Sequence, residues 1–267
     1  MGKKRYCIFT DLDGTLLESS AVPKKVIPFI NLLKEKGIPI IFCSVRTFEE
    51  QMYFREQLGI NDPFIVENGG AIYIPRNYFP FDCNHSEEYK IIELGKKYEE
   101  IKRIILTTSK KIGMDIKSFG EMDAKEIARA MKVSVELARK AKKRKYSEVI
   151  VSWKPEEKMP LFLEKIAKEK LNWVYGGRFY TISSNNKGSA VTFLTSLYKK
   201  MGDIITIGIG NSENDLSLLN SVDIPFLVQQ PSKKWAFCKE GINMIDAIAS
   251  EGWIEVVKKI LSKEGLQ

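Results

Sequence analysis

Short apolar runs alternate along this chain with longer stretches in which apolar residues return every third or fourth position, and most runs end in polar or acidic residues. The first run, Tyr6-Cys7-Ile8-Phe9-Thr10, carries no charge and reads as a strand covered on both faces. Residues 24–36 then place Val26, Ile27, Phe29, Ile30, Leu32 and Leu33 at helical spacing among charges, and Gly37 stops the helix. Ile38-Pro39-Ile40-Ile41-Phe42-Cys43 predicts a second buried strand, Thr47 caps a helix to about residue 58, and Phe64-Ile65-Val66 supplies a third strand. Glu67-Asn68-Gly69-Gly70 signals a turn, with Ala71-Ile72-Tyr73-Ile74 returning as a hairpin partner.

From residue 82 the pattern changes to charged helices near 87–103, 124–131 and 134–145, with strands at 148–153 and 173–182. The first pattern resumes with a helix at 188–200, a strand at 204–209, a helix at 213–220, a strand at 224–228 and a last helix at 246–262. The expected fold is α/β: a doubly wound parallel-sheet core (1–81 and 181–267) with an inserted α/β cap (82–180). Apolar stretches are strand-sized, and Met1-Gly2-Lys3-Lys4-Arg5-Tyr6 runs into Asp11 before a signal-peptide core develops, which predicts a soluble cytoplasmic protein with no membrane partner. Tyr6, where Ser or Thr is required, argues against myristoylation.

Cys7, Cys43, Cys83 and Cys238 form no Cys-x-x-Cys pair, so buried thiols are expected rather than a zinc site. Cys7 and Cys43, ending two strands, are the one pair placed to bond. The only histidine, His85, lies in a polar connector and reads as an exposed loop residue, which removes triads and histidine-rich metal sites. Cysteine-nucleophile phosphatases need Arg six positions after the thiol, and those positions hold Asp13, Glu49, Tyr89 and Met244. Heavy use of Lys and Glu fits a thermophile. The net charge of +8 gathers in part at Arg139-Lys140-Ala141-Lys142-Lys143-Arg144-Lys145. Without interleaved aromatics this segment reads as solvated surface or as an attractor of an anionic substrate, not as a nucleic-acid site.

Candidate chemistry sits at the strand ends. Asp11 and Asp13 follow the first strand, and Gly14 lets the backbone turn so that both acids face one small volume, an arrangement that calls for Mg²⁺. An EF-hand would need Glu where Val22 or Lys24 stands. Asp11 can attack phosphorus, and Asp13 can protonate the leaving oxygen and then activate water. Ser44, with the backbone of Leu12, Val45 and Arg46, can hold phosphoryl oxygens. Lys187 opens a helix where it can neutralise phosphate, while Asn211 and Asp215 follow a strand as metal ligands or their supports. The competing readings are an acidic turn without chemistry, a solvated lysine and an N-capping acid, and the place of Lys187 before a core helix weighs against the second.

In order, Asp11-Leu12-Asp13-Gly14-Thr15, Ser44-Val45-Arg46-Thr47, Asn186-Lys187-Gly188 and the run from Gly210 to Leu216 resemble the haloacid dehalogenase superfamily of phosphohydrolases over nearly the whole chain. The insert looks like the larger α/β cap of sucrose-phosphate phosphatases and the Cof-like group. Residues 65–73, 138–148 and 176–188 are most similar to the mannosyl-3-phosphoglycerate phosphatase branch. That resemblance implies Mg²⁺, an aspartyl-phosphate on Asp11, and hydrolysis of 2-O-mannosyl-3-phosphoglycerate to phosphate and the compatible solute mannosylglycerate by a monomer or homodimer. It also puts Asn68 among the substrate-binding residues. A substrate with both phosphate and carboxylate calls for further arginine, for which Arg144 and Arg178 are the candidates. The alternatives are a sucrose-phosphate or broad sugar-phosphate phosphatase and, because Asn211 stands where relatives usually carry Asp, a phosphometabolite-binding module without turnover.

Overall fold

The computed structural model describes residues 5–18, 20–81 and 87–263; His85 and Cys83 lie outside the described residues. The first part of the chain forms β1 (Arg5–Thr10), α1 (Ile27–Glu35), β2 (Ile40–Phe42), α2 (Phe48–Leu58), β3 (Phe64–Val66), β4 (Ala71–Pro75) and β5 (Tyr89–Glu93). The insert follows with α3 (Tyr98–Lys111), β6 (Asp115–Ser118), α4 (Ala124–Met131), α5 (Val135–Ala141), β7 (Ser147–Lys154), α6 (Met159–Lys168), β8 (Asn172–Tyr175) and β9 (Tyr180–Ser183). The chain returns through α7 (Lys187–Lys199), β10 (Ile204–Gly210), α8 (Leu216–Leu219), β11 (Ile224–Gln229), β12 (Asn243–Ile248) and α9 (Ala249–Lys263).

Five strands make a parallel sheet in the order β12-β11-β10-β1-β2. Successive residues of β1 point to opposite faces. Ile8 packs in the cluster containing Ile30, Leu33, Trp253 and Val257 from α1 and α9, whereas Cys7 and Phe9 join Ala190, Val191, Leu194 and Leu218 from α7 and α8. Both faces are thus covered, as a doubly wound sheet requires. Each fully buried aliphatic or phenylalanine side chain contributes roughly 1.5–3 kcal/mol relative to exposure, so the middle of this sheet is a rigid platform for whatever stands at its carboxyl edge. Cys43 bridges to Ile65, which joins β2 to the antiparallel group β3-β4-β5.

The insert has its own antiparallel sheet, ordered β6-β7-β9-β8. Ile101, Ile105, Phe162 and Ile166 from α3 and α6 pack with Ile150 and Ile182 on one side, and Ile127 and Ala138 from α4 and α5 pack with Phe119 and Val149 on the other.

Several expected elements change form. The helix expected over 87–103 is β5 followed by α3, because residues 89–93 pair antiparallel with the free edge of β4 and Gly95 separates the two segments. The single strand expected over 173–182 is the β8–β9 hairpin, turned through Gly176 and Gly177, the latter at φ +76°. The helix expected from 134 to 145 ends at Ala141, and the one expected from 213 to 220 begins as a 3-10 turn over Glu213–Asp215. Residues 246–248, expected as the start of the last helix, instead end the edge strand β12. Neither β6 nor α6 was expected. The thiols of Cys7 and Cys43 are buried and unbonded, while Cys238 is free and exposed, against the buried state expected for it. Among the described residues no helix is long and apolar enough to cross a membrane.

Candidate active site at the strand ends

Three separate chain segments meet at the carboxyl edge of the parallel sheet. Asp11 leaves β1 with its backbone N–H still bonded to the Ile209 carbonyl of β10 at 2.9 Å, so sheet register fixes where it stands. The following turn closes through Leu16 N and Leu17 N, both donating to the Leu12 carbonyl. Gly14 adopts φ +73°, and a Cβ there would lie 2.3 Å from the Asn211 side-chain nitrogen. The positive φ favours glycine here, and any other residue would also push the Asn211 amide aside.

Lys187 is the first residue of α7, whose N-cap Asn186 accepts from Ser189 N at 3.0 Å. Its Nζ lies 2.6 Å from Asp11 Oδ1 and 2.6 Å from Asp215 Oδ1, with the lysine side chain 0% exposed. The other Asp215 oxygen accepts from Asn211 N at 2.9 Å and from Ser212 N and Oγ, each at 3.0 Å. Although burial works against its charge, Asp11 and Asp215 hold Lys187 protonated above the ordinary lysine range. Burial first, then the neighbouring Asp215, push the Asp11 pKa up to about 7 against the pull of Lys187, with Asp13 adding to the rise.

Asp13 does not share that volume. Its carboxylate, 44% exposed, takes a two-pronged contact from Arg46, Nη2 at 2.6 Å and Nε at 2.8 Å. The Arg46 guanidinium also meets Glu50 at 2.8 Å and Ser20 Oγ at 2.9 Å. Glu50 is held in turn by a reciprocal cap at the start of α2, accepting from Thr47 N and donating its own N–H to Thr47 Oγ1. The side chain of Arg46 is thus committed to Asp13 and Glu50, and its backbone N–H, expected to hold a phosphoryl oxygen, donates instead to Ser44 Oγ. Ser44 is buried, and its Oγ accepts from Arg46 N at 3.3 Å. Among the described residues the backbone N–H groups of Leu12 and Val45 donate to no partner, which leaves both for a ligand.

A second polar cluster joins this edge to the insert. Glu67, Asn68 and Gly69 stand consecutively at φ +48°, +60° and +88°. For the two non-glycine residues such backbone costs about 1–3 kcal/mol each and persists only where surroundings demand it. Here Glu67 N donates to the Arg46 carbonyl and Asn68 N to the Ser44 carbonyl, both at 3.0 Å. The buried Glu67 carboxylate accepts from Lys145 N at 2.9 Å, Tyr146 N at 3.0 Å and Ser147 Oγ at 2.6 Å, at the start of β7. Burial pushes its pKa up, against the lowering effects of Arg144 and these donors. Asn68 Nδ2 donates to Ser183 Oγ and the Asn185 carbonyl, where the chain leaves the insert, while its Oδ1 is buried without a partner.

Arg144 reaches this junction: Nη1 donates to the Val45 carbonyl at 3.2 Å and to Ser147 Oγ at 2.8 Å, and Nε is buried with no partner. Arg178 is exposed on the β8–β9 turn, over the Phe179 ring. Phe179 touches Phe119, over which Arg144 also lies, so both arginines border one aromatic face of the insert. Sequence reasoning singled out the turn at 67–70 but not the Glu67 carboxylate, nor Glu50; a lone acid between an apolar strand and Asn-Gly was the available signal for the first.

Among the described residues no three His, Cys, Asp or Glu side chains converge as a ready metal cluster. Nevertheless, three carboxylates (Asp11, Asp13, Asp215) face two cations (Lys187, Arg46), and the imbalance shows in the raised Asp11 pKa. Asp11 Oδ2 has only a long contact, 3.5 Å, from Thr15 Oγ1. Hard oxygen donors with surplus negative charge fit a hard divalent cation. Both Asp215 oxygens are already engaged, whereas the Asn211 side chain lies against the Asp11–Gly14 turn.

The family described as haloacid dehalogenase-like hydrolase matches residues 8–235. A relative from Methanococcoides burtonii, glucosyl-3-phosphoglycerate/mannosyl-3-phosphoglycerate phosphatase, is 36% identical over 267 residues, covering 97% of this chain and 98% of the relative. Mannosyl-3-phosphoglycerate phosphatase from Pyrococcus furiosus is 39% identical over 224 residues, covering 83% and 90%. Among solved structures, Thermoplasma acidophilum 0175 has TM-score 0.65 at 16% identity over 99% of this chain and 100% of its own. The Synechocystis sucrose-phosphatase, in complex with sucrose and phosphate, has TM-score 0.61 at 12% identity over 96% and 98%. At those identities the structural likeness speaks to the fold.

Proposed function

The chain belongs to the haloacid dehalogenase-like hydrolases and is a phosphatase of that type, and we propose that it cleaves phosphate from a hexosyl-3-phosphoglycerate, with mannosyl-3-phosphoglycerate as the leading substrate. The observation that carries this reading is the fully buried Lys187, bridging Asp11 and Asp215 from different strand ends. A lysine is not stabilised in a core by that placement alone; breaking such a pair costs several kcal/mol, and its retention suits a site that must receive a phosphoryl group.

Asp11 attacks phosphorus, forming the aspartyl-phosphate as the bond to the glycerate oxygen breaks and Asp13 donates a proton to that oxygen. Water then attacks the intermediate while Asp13 takes its proton, releasing phosphate and restoring Asp11. Arg46 holds Asp13 at the rim with its carboxylate half in solvent, and serves as its orienting partner. Ser44 and the free N–H groups of Leu12 and Val45 receive phosphoryl oxygens, and Lys187 offsets their charge. With the Asp13 carboxylate turned to Arg46, Asp11 and Asn211 would hold Mg²⁺, which when bound supplies positive charge that keeps Asp11 ionised and neutralises the phosphoryl oxygens.

The inserted domain, set at 82–180 from sequence, is proposed as the cap that selects substrate, its own sheet beginning after β5. Arg144 and Arg178 border its aromatic face and suit the carboxylate of a glycerate. The names of the near full-length relatives support glucosyl-3-phosphoglycerate as a second substrate. Phosphate release with Mg²⁺ is to be measured on mannosyl- and glucosyl-3-phosphoglycerate, sucrose phosphate, hexose phosphates and phosphoglycolate. The expected result is a marked preference for the first two; equal rates on all would defeat the substrate assignment, and tight binding without turnover would defeat the enzyme reading.

A further inference from the structure

We propose that Glu67 is a positioning residue for substrate selection: it seats Arg144, through Ser147, on the turn that receives phosphate, so that a substrate carrying a carboxylate beside its phosphate is favoured. The inference rests on the function proposed above and goes beyond it in assigning a residue that never meets the substrate. Ser147 has one hydroxyl proton. It gives that proton to Glu67 Oε2 at 2.6 Å, and its oxygen therefore accepts from Arg144 Nη1 at 2.8 Å. The same nitrogen reaches the Val45 carbonyl at 3.2 Å, on the loop whose amide is free for phosphate. The path Glu67–Ser147–Arg144–Val45 runs from core to insert and back to the core.

Glu67 also fixes both ends of this path. Its own N–H is bonded to the Arg46 carbonyl, so its backbone moves with the phosphate turn, while its carboxylate holds Lys145 N and Tyr146 N of the insert. Among the described residues, Arg144 Nε is buried and has no hydrogen-bond partner. A ligand carboxylate satisfies such a donor, whereas an uncharged group of the same size does so poorly.

The test compares mannosyl-3-phosphoglycerate with its glycerate methyl ester, which keeps the phosphate and the sugar but lacks the second charge. Wild-type enzyme is expected to show a KM for the acid about tenfold or more below that for the ester. In Glu67→Gln, whose amide cannot accept from all three donors, the KM for the acid rises toward that for the ester while kcat on p-nitrophenyl phosphate stays within about twofold. Ser147→Ala, which spares the two backbone bonds of Glu67, gives the same loss of discrimination if the first variant folds poorly. Both variants keeping the wild-type KM ratio, or a wild-type enzyme that does not distinguish acid from ester, would overturn this inference alone. A wild-type enzyme that cleaves neither compound overturns the proposed function and this inference together.

Discussion

At the strand ends of the core, charge is buried outright: Lys187 is sealed between Asp11 and Asp215, and one more ordered carboxylate, Glu50, backs Arg46. At the junction with the insert, a single buried acid, Glu67, is held mainly by backbone N–H groups, and the cation it serves, Arg144, retains an unpartnered donor. The first region is complete without the insert; the second exists only where core and insert touch. Under the function proposed above, chemistry falls to the core, which must hold reacting groups to within fractions of an ångström, and selectivity to the contact between core and insert.

If that division holds, core substitutions should affect every phosphoester alike, and the largest effect belongs to the nucleophile. Asp11→Asn is expected to lower kcat by about four orders of magnitude or more on all substrates, read by phosphate release. The same variant tests the electrostatics of the metal-free protein. The folded Asp11 value of about 7 lies above that of an unfolded aspartate, ~3.9, so the folded state binds the extra proton between these values. Its contribution to stability is therefore present below about pH 4 and is lost as pH rises toward 7, and the loss should disappear in Asp11→Asn or on adding Mg²⁺. Urea unfolding at several pH values, with and without the ion, measures it.

Lys187→Met comes next. It leaves Asp11 and Asp215 buried without a counter-charge and is expected to cost about 3–5 kcal/mol of stability, measured by denaturant midpoint, together with turnover on every substrate. Arg144→Ala should separate the regions most sharply. The KM for mannosyl-3-phosphoglycerate should rise about 10- to 100-fold, with little change on p-nitrophenyl phosphate; equal losses on both would erase the division between chemistry and selectivity. Asn211→Asp is the smallest effect, a several-fold lower Mg²⁺ requirement because a carboxylate replaces an amide oxygen. It should appear both in activity and in the metal-induced rise in Tm, and unchanged metal dependence would remove Asn211 from the ligand set.

Legibility in the sequence followed burial. Core strands were readable because burial on both faces demands uninterrupted apolar runs, and the turn chemistry of Asp11–Gly14 and Asn186–Gly188 marked their ends. Strands at sheet edges were harder. Residues 89–93 take strand form only because β4 offers an unpaired edge, and 243–248 only because β11 does. Local periodicity in such segments is a weak guide, since pairing with a distant strand overrides it.

For the site, residue types and order put forward Asp11, Asp13, Ser44, Lys187, Asn211 and Asp215 as candidates, because phosphoryl transfer requires a nucleophile, an acid and a cation at the ends of buried strands. Partnership was decided elsewhere. That Asp13 turns to Arg46, that Asp215 spends both oxygens on Lys187 and its own loop, and that Glu67 reaches across to Ser147 all depend on distances between residues far apart in the chain. Composition and spacing carry the chemistry a chain has available, whereas electrostatic pairing falls off within a few ångströms and is settled only when the fold brings specific groups into contact.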